Sequence, residues 1–391
     1  MKFISRLSTQ NQPAKIAAEL TNNLSGEFTS GFLFLSELSQ EAAAETLSLL
    51  RKQLKVKTLI GCTCAGVIGS DAEIEREPAT TLILGNLPEA KITPFIMTQN
   101  TLEELQKAQD WYNYLNVFPN EQPKFILLPD PFSVDMNYFL SGLNAAYPGC
   151  PVMGGLASAA TAPRENLLFI NDETYDEGVV GITLVGGIDI KTIVSQGCRP
   201  FGENYIITKA EKNIIYKLAG RPFINVLEEV LQKATARDKM LAQEALLVGI
   251  AMDEYTHNLK RGDFIIRNLI GVDQDTGAGV IAEYVKPGQT IQFHVRDAET
   301  ASEDLNELLD QQNAKTPNAR PKGALVFSCN GRGENLFHKK NHEISIIQKH
   351  LGPVPAAGFF CAGEICPVGK SNFLHGFTSS IALFYSSSGA K

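Results

Sequence analysis

The segment Ser328–Phe337, SCNGRGENLF, ends an apolar run on Cys329 and follows it at once with Gly331, Arg332, Gly333 and Glu334. Glycines there let backbone N–H groups turn inward as an anion-binding nest, and the guanidinium of Arg332 can grip a carboxylate or phosphate with two prongs. The same surroundings would lower the pKa of Cys329 and make it nucleophilic. A Gly-Arg-Gly loop serves equally as a plain tight turn with Arg332 paired to a structural carboxylate, and both readings stay open. A second set of charges lies upstream. Arg267 follows the apolar run of DFIIRN, and QFHVRD sets Phe293 and Val295 against His294 and Arg296. Strand alternation then puts His294 and Arg296 on one sheet face, with Arg267 a candidate third member, and such a face attracts an anionic small molecule. The alternative is an internal network in which Asp263, Asp297 or Glu364 satisfies the arginines. Glu364 in FFCAGEICPVG and His375 in FLHGFTSS complete the polar inventory near the C-terminus.

Other chemistries are disfavoured. Cys62 and Cys64 are two apart and Cys361 and Cys366 five apart, neither a zinc-knuckle spacing, and no HxxxH lies nearby, so no metal site is assigned. There is no GxSxG, Walker A, HExxH or dinucleotide GxGxxG signature, which lowers the case for an enzyme. Seven scattered cysteines, an odd number, read as reduced thiols packed as small apolar residues. Thirty-five basic against 43 acidic side chains leave a net charge of −8, a poor match to nucleic acid. No apolar stretch approaches the roughly 20 residues of a membrane span, and the N-terminus lacks a signal-peptide h-region. The expected location is cytoplasmic.

The 391 residues suggest two or three domains, and the elements that must position these groups recur. A strand, a helix, a Gly-rich turn and a pair of strands follow one another three times: from Gly31, from Lys124, and from Gly323. Within them PVMGG and PVPAAG correspond most clearly. A different region separates the second and third copies. It holds an amphipathic helix over 222–236, a second near 239–246, several β-runs, and a helix from about Thr300, where Thr300 and Glu303 fit a capping box. The fold class expected is mixed α/β (α+β), with mixed β-sheets packed by helices and built from repeated strand–helix–strand–hairpin units. The divisions are a lead-in over 1–30, one domain over 31–220 and another over 221–391.

RGDFIIRNLIGVD, GQTIQFHVRDA, FSCNGRGENLF, PVPAAGFFCAGEICPVG and FLHGFTSSIALF, in that order, resemble the C-terminal part of the FIST domain family. LIGCTCAGVIG, PVMGGLAS and GVVGITLVGG resemble its N-terminal part. The resemblance implies an intracellular sensory module that binds a small molecule, with amino acids the usual suggestion, and one branch similar to haem proteins that sense nitric oxide and regulate a histidine kinase. It carries the family motif onto Cys329, Gly331, Arg332 and Gly333, onto Gly358, Gly363 and Glu364, and onto His375, Gly376 and Thr378. Cys366 stands where the family often has glycine. The candidate ligand set is therefore Arg267, His294, Arg296, Cys329, Gly331, Arg332, Gly333, Glu364, His375 and Thr378. Residues 1–30 and 386–391 are too short for an output domain, so a signal is expected to pass to a separate protein such as a histidine kinase. The alternatives are haem-based gas sensing through His294, His375 or Cys329, and an enzyme with Cys329 as nucleophile and His294 or His375 as base.

Overall fold

The computed structural model describes residues 1–256, 258–317 and 319–386. The chain forms two compact units, one from Met1–Val194, Leu305–Leu374 and the chain from Thr378 on, the other from Ser195–Asp304 and His375–Phe377. Mixed sheets and packed helices make it the α+β protein expected from the sequence.

Each of the three six-stranded sheets of the first unit contains two parallel strands joined by a crossover that holds a helix. They are Glu27–Ser36 with Lys55–Cys64, Lys124–Pro129 with Val152–Gly155, and Gly323–Cys329 with Ala356–Cys361. The crossover helices are Gln40–Gln53, Met136–Ala146 and His342–Leu351. Ser39 starts the first by accepting the Ala42 N–H, and Ala43, Leu47 and Leu50 are buried from it, the face that its apolar spacing marks. A third strand runs antiparallel beside the first of each pair: Ala79–Asn86, Val179–Val185 and Thr378–Ser386. The far edge of each sheet takes a hairpin from elsewhere in the chain. Gly66–Ile68 and Glu73–Glu75 extend the Ala356–Cys361 sheet, Leu168–Ile170 and Glu173–Tyr175 extend the Lys55–Cys64 sheet, and Glu364–Val368 and Ser371–His375 extend the Val152–Gly155 sheet. Each hairpin is fastened by a side-chain oxygen that accepts an edge N–H: Ser70 from Ala356, Asn171 from Leu59 and Asn372 from Val152.

One glycine in the second strand of each parallel pair follows from strand approach. A Cβ on Gly61, Gly154 or Gly358 would lie 1.9, 1.9 or 1.8 Å from the carbonyl oxygen of Leu33, Leu127 or Val326 on the neighbouring parallel strand. No side chain fits there. Phe34, Cys62, Met153, Phe327, Phe359 and Cys361 share one core cluster, so these cysteines are core residues, and all seven are free thiols.

The second unit is an antiparallel sheet closed on itself. Its order is Cys198–Glu211, Thr290–Arg296, Leu246–Ala251, Phe264–Val272, Gly279–Ile281 and Ile214–Leu218, and the last strand pairs back with the first. Closure leaves none of these six as a free edge. Helix Phe223–Lys233 buries Phe223, Val226, Leu227 and Val230 against Val248, Ile291, Phe293 and Val295. The helix expected from about Thr300 spans Ala298–Lys315 and is capped by Asp297, whose Oδ1 accepts the N–H groups of Glu299 and Thr300. A carboxylate two residues before the first free N–H outcompetes the threonine hydroxyl for the capping position.

Candidate functional site

Strand Gly323–Cys329 ends in a tight turn because the Arg332 N–H donates back to the Cys329 carbonyl at 2.8 Å and the Asn330 N–H to the Cys361 carbonyl at 2.8 Å. Gly333 has φ +60°, the left-handed region that favours glycine, and a Cβ there would lie 2.2 Å from Glu75 Oε1. The turn sits at the carboxyl ends of two parallel strands, where open α/β sheets place their ligands.

The carboxylates this turn attracts are its own. Arg332 is fully buried and donates from Nε and Nη2 to Glu343 Oε1 at 3.0 and 2.7 Å, and Glu343 Oε2 accepts the Ser328 hydroxyl. The Glu334 N–H, just after the turn, donates to Glu75 Oε1 at 2.8 Å. Glu73 Oε1 accepts the Ile344 N–H at 2.6 Å, in the first turn of helix His342–Leu351. So the Arg332 guanidinium meets Glu343, and the turn after Cys329 meets Glu75 through the Glu334 N–H. The Arg332 guanidinium has no exposure and is bonded twice to an internal carboxylate, so its charge is met inside the protein.

Glu364 is buried too, and only half of it is engaged. Its Oε2 accepts the Thr378 N–H at 3.2 Å and hydroxyl at 2.8 Å, while Oε1 has no hydrogen-bond partner among the described residues. Burial raises its pKa to about 8, against the pull of the Thr378 hydrogen bonds and the charge of Arg332, with Glu343 pushing it further up. Burial and the neighbouring Glu343 likewise carry Glu73 to about 8. Burial thus favours the protonated form of Glu364, which can donate a hydrogen bond as well as accept one. Cys329 is the one thiol of the seven that is not buried, and its sulfur lies 4.0 Å from Asn330 Oδ1.

In the second unit, Ile291, Phe293 and Val295 point into the closed sheet, and His294 and Arg296 lie on its outer face. His294 is fully buried with Nδ1 3.0 Å from the Gln292 carbonyl, its ring set edge-on to Phe264 at 5.1 Å, and Nε2 unpartnered among the described residues. Burial lowers its pKa to about 4, so it stays neutral. The Arg296 guanidinium stands over the Phe377 ring at 5.8 Å. Arg267 departs from the expected face. It is registered opposite Val248, which is opposite Phe293, so its side chain leaves from the other side, and it pairs with Glu283 at 2.9 Å. His375 is buried and belongs to this unit. Cys329, Gly331, Arg332, Gly333, Glu364 and Thr378 thus belong to the first unit, and Arg267, His294, Arg296 and His375 to the second.

Glu343, Glu73 and Glu75 carry the electrostatics of the turn but stand out nowhere in the sequence. Glu343 reads as an ordinary acidic residue in a helix's first turn, and EIERE reads as an exposed strand. Only the hairpin's transfer to another sheet brings Glu73 and Glu75 to residues some 260 positions away.

Models of the FIST N domain and the FIST C domain match residues 29–221 and 224–367. The chain belongs to the FIST family. FIST domains are sensory domains that bind small ligands in signalling. Similar proteins include MT0656 and Rv0628c of Mycobacterium tuberculosis, each 36% identical over 372 residues, 95% of this chain and 95% of the relative. Mb0898c of Mycobacterium bovis is 36% identical over 371 residues, 94% of both chains. All three are described as uncharacterised. Among the described residues of this FIST chain, no helix is long and apolar enough to cross a membrane, and no group of three or more His, Cys, Asp or Glu is placed to hold a metal ion.

Proposed function

We propose that this FIST protein is a cytoplasmic small-molecule sensor whose ligand is an amino acid held through Glu364, and that it passes its signal to a separate protein such as a histidine kinase. The observation that carries the reading is the bare Oε1 of a buried, protonated carboxyl group. A buried polar atom without a partner calls for one, and a neutral acid donates to a ligand carboxylate where an ionised one would repel it. Because Arg332 is balanced by Glu343, the ligand's charge is met by a donated hydrogen bond and not by a free cation. Ligand shifts the conformational equilibrium only by its differential affinity for the two states. The test is calorimetric titration of the full chain with each of the twenty amino acids from pH 6 to 9. Wild-type affinity should fall as Glu364 ionises near pH 8, whereas Glu364→Gln, whose amide still donates, should bind without that dependence. Parallel pH profiles in the two proteins, or no binding by any amino acid, overturn the reading.

His294 favours a second reading, haem-based sensing of nitric oxide. A neutral imidazole with Nδ1 fixed on a carbonyl and Nε2 bare has the arrangement of a metal-ligating histidine. Haem would supply an iron centre for the gas, with His294 as its protein ligand. Added haemin should give a Soret band that His294→Ala shifts or abolishes, and a protein that stays colourless removes this reading.

A further inference from the structure

A cleft of about 670 Å³ opens on the first unit, away from Glu364 in sequence and lining. Its walls come from the strand Lys2–Ser8, the turn of the Gly66–Glu75 hairpin and helix His342–Leu351. Phe3, Ile4, Ile344 and Pro355 alternate in its lining with the polar Ser5, Ser70, Ser345 and Gln348, and Arg6 and Asp71 are its two charges. Neither is committed to the protein. Arg6 is half-buried and donates only to its neighbour's carbonyl, that of Ser5, and Asp71 has no hydrogen bond or ion pair among the described residues. Nor do they pair with each other, since no ion pair within 4.0 Å joins them. Two opposite charges are therefore held apart on one cleft of mixed lining.

An inorganic anion would satisfy Arg6 and leave Asp71, and a simple amine would do the reverse. The complementary ligand is neutral overall, with opposite charges at its ends and an apolar middle. A free amino acid carries both charges on one carbon and would fill a fraction of this volume, whereas pocket ligands of ordinary size occupy about 300–1,000 Å³. Peptide termini separate by about 3.5 Å for each residue added. The wall strand Lys2–Ser8 is also the outermost of its sheet, and an edge strand can pair with an extended backbone.

We infer that this cleft binds a short peptide with free termini, its carboxylate on Arg6 and its ammonium on Asp71. The test titrates the full chain calorimetrically with alanyl-leucyl-alanine, with its N-acetylated and C-amidated forms, and with leucine. The free tripeptide should bind, and blocking either end should weaken it about tenfold, as loss of a charge-assisted hydrogen bond does. Arg6→Gln should weaken the free peptide by the same factor and leave the amidated one unchanged; Asp71→Asn should do likewise for the acetylated one. Glu364→Gln should leave peptide binding unchanged, so this inference and the amino-acid reading at Glu364 fail separately. No heat from the tripeptide, equal affinity for the free and either blocked peptide, or leucine binding as tightly as the tripeptide overturns the inference.

Discussion

Replacing Glu364 by glutamine removes a proton-binding group while keeping its shape and a donor for the surrounding site. In the folded chain burial holds the Glu364 carboxyl at about 8 against an ordinary value of 4.5. Between those values the native state keeps a proton that the unfolded state has released. The stabilisation is thus fully present below pH 4.5 and is lost as pH rises through about 8. A span of about 3.5 pH units at roughly 1.4 kcal/mol each gives on the order of 5 kcal/mol, comparable with the whole stability of an ordinary domain. Glu73, also at about 8, acts in the same direction. Glu364→Gln should therefore match the wild type near pH 5 and be the more stable protein at pH 9. With two compact units a single unfolding transition is not assured, so the readout is amide hydrogen exchange in strand Gly323–Cys329, which reports on the first unit itself. An infrared band of a protonated carboxyl, present at pH 7 and diminished in the variant, gives independent evidence of the proton. Parallel exchange profiles from pH 5 to 9 would refute the reasoning, because they would show that Glu364 ionises alike in both states.

His294 gives the opposite sign at acid pH. Its folded value of about 4 lies below the ordinary 6.5, so stability is present above pH 6.5 and falls by about 3 kcal/mol as pH drops toward 4, a limb that His294→Gln should flatten in pH-dependent melting. Arg332→Met leaves Glu343 buried without its cation and should cost about 3–5 kcal/mol in urea unfolding, while Arg332→Met with Glu343→Leu should recover most of that loss. Gly358→Ala puts a methyl 1.8 Å from the Val326 carbonyl oxygen, so the parallel strands must part; a loss of about 3 kcal/mol or more is expected, measured by thermal melting.

Local patterns were legible because local physics sets them. The Ala43, Leu47 and Leu50 stripe, the strand Gly323–Cys329 and the turn after it follow from side-chain periodicity and glycine placement within a few residues. That Arg332 and the turn around it would meet carboxylates was legible for the same reason. Their occupants were not, because Glu73 and Glu75 reach the turn on a hairpin paired to a strand of another chain segment, and nothing near residue 73 records residue 344. The face of Arg267 went astray through register, since a strand's alternation fixes which residues share a side within it but not which side meets its neighbour's.

The sequence alone determined the family, the alternation of helices and strands, and the polar residues gathered around its motifs. The tertiary structure decided their charge states and partners. It buried Glu364, which raises its pKa, and closed Arg332 onto Glu343. It also left Arg6 and Asp71 apart on an open cleft. Charge state depends on desolvation and on groups distant along the chain, and both come into being only when the sheets assemble.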